Sequence, residues 1–137
     1  MANPYVVVVD DCPDETFLVS RIIEQHEQDI DLCLLENGAQ AIDVLGDPSS
    51  RKPDLVILDN KMPFFSGIDV IKSLNRSERF KSVPMVLMST VLSRRDIEEA
   101  YRVGARSCVS KGDDITNWNR QLRSVLAYWL TINEVNS

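Results

Sequence analysis

The chain is short of the features that mark several common classes of protein. Cysteine is sparse: Cys12, Cys33 and Cys108 stand far apart with no C-x-x-C among them. That pattern offers neither a zinc site nor a disulfide framework, and it reads as reduced thiols. A basic surplus is also missing, since 15 Lys and Arg face 21 Asp and Glu for a formal net charge of −6. With nothing to neutralise a phosphate backbone or an acidic bilayer, no nucleic acid or membrane partner is expected. No apolar run nears the ~20 residues of a membrane span. The segment after Met1 lacks the basic stretch and long apolar stretch of a secretory leader, so a cytoplasmic location is expected. The first apolar run is followed by an acidic pair and not by a glycine-rich loop, which disfavours a flavodoxin-like carrier of a phosphate-bearing cofactor. His26 is the sole histidine and sits in a polar stretch. It reads as solvated, with no partners for metal ligation or phosphate relay.

What is present is an alternation of two patterns over 137 residues, a length that suits one domain, 1–137, with no linker long enough to divide it. Residues 5–9, 55–58 and 85–88 are continuous apolar runs, the mark of strands buried on both faces of a parallel sheet. Residues 30–34 alternate and predict a half-buried strand on Ile30, Leu32 and Leu34; residues 107–110 are a shorter candidate. Between them lie helical patterns. Residues 13–27 place Phe17, Leu18, Ile22 and Ile23 at helical spacing, with Pro13 suited to the first turn. Residues 38–45 and 67–75 each carry one apolar side. Ser93 and Asp96 resemble a capping box before a stripe of Ile97, Ala100 and Tyr101, which Gly104 ends. A final helix over 114–130 lines up Trp118, Leu122, Val125 and Trp129, which predicts core anchors. Five strand–helix repeats predict an α/β fold with a parallel sheet covered on both faces.

Ligands of such sheets bind beyond the carboxyl ends of the strands. The first run delivers Asp10 and Asp11 there, the third Asp59, the fourth Ser89 and Thr90, and the fifth Lys111. Two like charges ~4 Å apart at an effective dielectric near 20 cost about 4 kcal/mol. Three clustered carboxylates therefore need compensation beyond one ammonium, and an oxygen-only ligand set favours Mg²⁺. A carboxylate beside Mg²⁺ and a lysine is suited to attack phosphorus and form an aspartyl-phosphate. Asp59 is the best nucleophile, because it ends a central strand and opens a turn-rich loop, and Ser89 or Thr90 could bond the phosphoryl oxygens.

These residues resemble the receiver domain of two-component response regulators over essentially the whole chain. The resemblance rests on the acidic pair Asp10-Asp11, the D-x-x-M-P-x-x-x-G stretch from Asp59 to Gly67, the hydroxyl of Ser89, and Lys111. It implies a flavodoxin-like, doubly wound (βα)5 fold with a five-stranded sheet of order 2-1-3-4-5. It implies that Asp59 accepts a phosphoryl group from a histidine kinase. Mg²⁺ is then held by Asp11, Asp59 and the Lys61 backbone carbonyl, with Asp10 acting largely through water. Ser89 is the switch hydroxyl, Lys111 pairs with the phosphoryl group, and Thr90 flanks its access. The expected protein is a stand-alone receiver without an output domain, a signalling switch and not an enzyme with turnover. Its partners are a sensor histidine kinase or phosphotransfer protein and a downstream protein target. A phospho-relay intermediate or a phosphate sink fits equally. A phosphatase is disfavoured because Lys61 stands where a second acid would be needed. The closing residues 129–132 and the loop from Asn75 to Pro84 resemble single-domain receivers that serve bacteriophytochromes, which implies a homodimer through the fourth helix, fifth strand and fifth helix. Two departures from the family stand out: Cys108 replaces the usual aromatic residue, and Gly112 replaces the usual proline after the lysine.

Overall fold

A computed structural model describes residues 2–132. The apolar runs form strands β1 (Tyr5–Val9), β2 (Asp31–Leu35), β3 (Leu55–Leu58), β4 (Met85–Ser89) and β5 (Ser107–Ser110). All are parallel, in the order β2-β1-β3-β4-β5. The helices are α1 (Pro13–Glu24), α2 (Gly38–Gly46), α3 (Gly67–Leu74), α4 (Arg94–Val103) and α5 (Ile115–Ala127). The α/β doubly wound arrangement expected from the sequence is the one observed.

Strand side chains alternate between two apolar layers. Val7, Val9, Leu58 and Leu87 join Ile71 and Leu74 of α3 and Ala100 of α4. Val6, Val8, Ile57 and Met88 join Ile22 of α1 and Trp118, Leu122 and Leu126 of α5. Because both faces are covered, β1, β3 and β4 have no room for a polar position until their carboxyl ends. Side-chain caps start the helices there. Asn37, Ser66, Ser93 and Asp114 each accept a backbone N–H three residues on, and Ser66–Asp69 and Ser93–Asp96 close as full capping boxes.

Several expectations are corrected. The second strand is one residue later than expected and is not one-sided. Leu32 packs on the α1–α5 layer, Leu35 is buried in the other, and Leu34 is exposed. A parallel edge strand still lies between two helical layers, so alternation of residue type misjudges which side chain turns inward. Helix α1 stops at Glu24, because Ile23 is its last buried residue and the polar stretch beyond has nothing to bury. Phe17, expected in the core, is 65% exposed. Tyr101 is also largely exposed, because its hydroxyl reaches over the sheet edge to accept the Cys108 N–H at 3.1 Å. The last helix gives way after Ala127 to a π-helical turn over Tyr128–Ile132, and Trp129 and Leu130 pack against the α1–α5 layer from that wider turn. The loop from Asn75 to Pro84 contains a 3-10 turn, Glu78–Phe80, that buries Phe80.

Candidate functional site

Sheet register brings the polar residues together. Val9 pairs with Leu58, so the next residues, Asp10 and Asp59, leave the sheet side by side, and Asp59 N–H donates to the Val9 carbonyl at 2.9 Å. Ser89 pairs with Ser110, so Lys111 emerges next to the end of β4, its N–H bonded to the Ser89 carbonyl at 3.1 Å. The loop after Asp59 is knitted by Asn60, whose carbonyl accepts from Met62 and Gly67 and whose Oδ1 accepts from Ile68 N–H at 3.2 Å. A side chain at Gly67 would meet the Asp59 carbonyl oxygen at 2.5 Å. Glycine thus lets α3 start against the strand end that carries Asp59.

At the centre lies the Lys111 ammonium, buried with Asp10. Lys111 Nζ is 2.5 Å from Glu15 Oε2, 3.1 Å from Asp10 Oδ2 and 3.7 Å from Asp59 Oδ1. It also lies 5.9 Å from the centre of the Trp118 ring, within cation–π range. Asp10 is fixed from its other oxygen, where Oδ1 accepts the Cys12 N–H at 2.9 Å. Burial alone would lower the Lys111 pKa; the hydrogen bond to Glu15 and the charges of Asp10 and Asp59 outweigh it and hold the ammonium above its usual value. Burial pushes the Asp59 carboxyl up, as does the Asp10 charge, against the pull of Lys111, the Lys61 N–H and Ser89. Burial and a hydrogen bond with Asp10 push Glu15 up to about 7, against Lys111.

The other residues take graded positions. Ser89 is buried at the end of β4, and its side chain adds a small downward pull on the Asp59 carboxyl. Thr90 is exposed and lines a groove of about 530 Å³ between α1 and α5 with Glu15, Phe17, Lys111, Ile115 and Trp118. Asp11 is exposed and opens on a cleft of about 540 Å³ that also holds Asp10, Asn37, Phe64 and Phe65. Lys61 is exposed, with its N–H 3.4 Å from Asp59 Oδ1, so this peptide lies beside the nucleophile candidate. Gly112 adopts φ +82, and a side chain there would meet Asn117 Cβ at 2.4 Å. The turn after Lys111 thus requires glycine, which accounts for the missing proline.

Glu15 is the site residue that sequence reasoning missed. An acid in the first turn of a helix is ordinarily there for the helix dipole, and that reading hid its contact with a lysine far along the chain. The signal was available: α1 begins at the same sheet end as the other polar residues. Among the described residues, Asp10, Glu15 and Asp59 offer oxygens all within 4.8 Å of one another, an arrangement compatible with a divalent ion. The donors are oxygens only, which fits a hard cation.

The response regulator receiver domain family matches residues 6–122. The probable methanogenesis regulatory protein FilR2 of Methanothrix harundinacea is 27% identical over 135 residues, spanning 96% of this chain and 87% of the relative. The crystal structure of the phosphorylated cyanobacterial phytochrome response regulator RcpA superposes with a TM-score of 0.92 at 20% identity, covering 99% of this chain and 100% of that one. That of the Mn²⁺-bound form of the response regulator Rcp1 gives 0.90 at 20% identity, covering 98% and 99%. The sheet order accords with these matches, and the chain belongs to the response regulator receiver domain family.

Proposed function

We propose that this protein is a phosphorylation switch that takes a phosphoryl group onto Asp59 from a phosphohistidine donor in a Mg²⁺-dependent reaction. The observation that carries the reading is the Lys111 ammonium, held by two acids and standing 3.7 Å from Asp59 Oδ1. That spacing is too long for a direct hydrogen bond, so a third N–H of the ammonium is left for a phosphoryl oxygen. Asp11, Asp59 and the Lys61 carbonyl would hold Mg²⁺, with Asp10 acting through water. The ion, when bound, supplies charge neutralisation for the transferring group. An Asp59 oxygen forms the new O–P bond as the P–N bond of the donor breaks, and the imidazole leaves with that electron pair. Lys111 and Ser89 then bond the phosphoryl oxygens, and exposed Thr90 flanks the approach.

The added charge of about −1.5 to −2 would favour one of two arrangements of the loops and helices beside Ser89 and Lys111. The described residues form one sheet with its two helical layers, which supports a single receiver unit that signals through contact with a downstream protein. A cytoplasmic sensor histidine kinase of the bacteriophytochrome type is the proposed donor, supported by the likeness to RcpA and Rcp1. Service as a relay intermediate or phosphate sink uses the same chemistry. A homodimer through α4, β5 and α5 is the proposed assembly. No helix among the described residues is long and apolar enough to cross a membrane.

Acetyl phosphate with Mg²⁺ tests the chemistry. Intact mass spectrometry is expected to show the gain of one phosphoryl group in the parent chain, and none in Asp59→Asn. An equal gain in both would place the acceptor elsewhere.

A further inference from the structure

Lys111 has three N–H donors. Glu15 Oε2 takes one at 2.5 Å and Asp10 Oδ2 another at 3.1 Å. The remaining acid, Asp59, stands at 3.7 Å, outside bonding distance. Asp10 is itself tethered through the Cys12 N–H. The acid that sets where the ammonium rests is therefore Glu15, reaching in from the first turn of α1.

We propose that Glu15 is a positioning residue: it holds the Lys111 ammonium back from Asp59 and aims its third N–H at the place a phosphoryl oxygen will occupy. The proposal rests on the phosphoryl-acceptor reading above. Without Glu15, Lys111 is left with two acids, and it closes the 3.7 Å gap to Asp59. A direct ion pair there weakens Asp59 as a nucleophile and fills the phosphoryl position. The same geometry argues against Glu15 as a metal ligand. The trio of Asp10, Glu15 and Asp59 is already occupied by an ammonium, which sits within 4 Å of all three acids. The divalent ion belongs on the Asp11 side of Asp59, where the cleft opens to solvent.

The test is a double-mutant cycle, since two residues that act as a unit give non-additive effects. Phosphorylation by acetyl phosphate with Mg²⁺ is followed by intact mass in the parent, Glu15→Ala, Glu15→Gln, Lys111→Ala and Glu15→Ala/Lys111→Ala chains. Loss of one charge-assisted hydrogen bond corresponds to a slowing of about ten-fold in Glu15→Ala. Glu15→Gln recovers most of the rate, because its amide oxygen still accepts from Lys111. In the Lys111→Ala background, Glu15→Ala brings no further slowing. Equal slowing in both backgrounds, or none in either, overturns the proposal. So does a Mg²⁺ affinity, measured by titration calorimetry, that falls alike in Glu15→Ala and Glu15→Gln, since that makes Glu15 a metal ligand. Glu15 is partly exposed and Glu15→Gln is nearly isosteric, so that variant reports even where the alanine chain folds poorly. No phosphoryl gain in the parent overturns the underlying reading and this one with it. Gain in the parent at the same rate as in Glu15→Ala overturns this one alone.

Discussion

On the β5 side of Asp59 the acids are enclosed and share one ammonium; on the α2 side Asp11 and Phe64 face solvent beside an open cleft. Both walls carry negative charge at the mouth of one sheet, yet they solve the repulsion differently. The enclosed wall uses a fixed cation from the chain itself, at distances where a low local dielectric makes each contact count. The open wall leaves its charge to solvent. The difference suits a division of labour: the ammonium is fixed and aimed, whereas the proposed divalent ion would enter from the side where solvent reaches.

The comparison breaks most readily at Lys111. Lys111→Met leaves Asp10 and Glu15 facing each other without a cation, and the loss of a buried counter-charge is expected to cost about 3 kcal/mol of stability. Urea denaturation without divalent ions measures it. An unchanged midpoint would mean that the two walls do not differ in this way. The open wall is sharpened by Phe64, whose ring is fully exposed and whose backbone sits at φ +67. A left-handed conformation costs a bulky residue roughly 1–2 kcal/mol, part of which glycine returns as unfolded-state entropy. Phe64→Gly is therefore expected to raise stability by about 0.5–1 kcal/mol, again by urea denaturation. A fall would show that the ring makes contacts that hold the loop.

Much of the fold was legible because the signal is local. A run such as Tyr5 to Val9 excludes water on both sides, so it specifies a central strand without knowledge of its neighbours. The grouping of Asp10, Asp59 and Ser89 was legible for the same reason, since each ends or follows such a run, while Lys111 follows the weaker segment 107–110, and parallel strands bring all their carboxyl ends to one edge. What escaped depends on distant partners. Glu15 meets Lys111 across 96 positions, and only the start of α1 at the polar end of the sheet points to that contact. Tyr101 belongs to an apolar stripe by spacing, yet the free N–H of edge residue Cys108 draws its hydroxyl outward. Phe17 and Leu34 likewise sit at expected periods and face solvent, because periodicity fixes a face and not the depth at which that face is covered.

The departures from the family are explained unevenly. Gly112 follows from geometry, since only glycine fits its backbone and the approach of Asn117. At Cys108 the structure shows a half-buried thiol whose pKa is raised by burial, against the hydrogen bond from Tyr101. The aromatic ring at this edge of the sheet comes from α4, through Tyr101, and not from β5.

A crystal structure of the protein with Mg²⁺ and beryllium fluoride, which mimics a phosphorylated carboxylate, addresses the division of labour head-on. The fluoroberyllate is expected on Asp59, the ion in contact with Asp11 and the Lys61 carbonyl, and Lys111 bonded at once to Glu15, Asp10 and a fluorine. An ion lodged among Asp10, Glu15 and Asp59, with Lys111 expelled from them, would contradict that division.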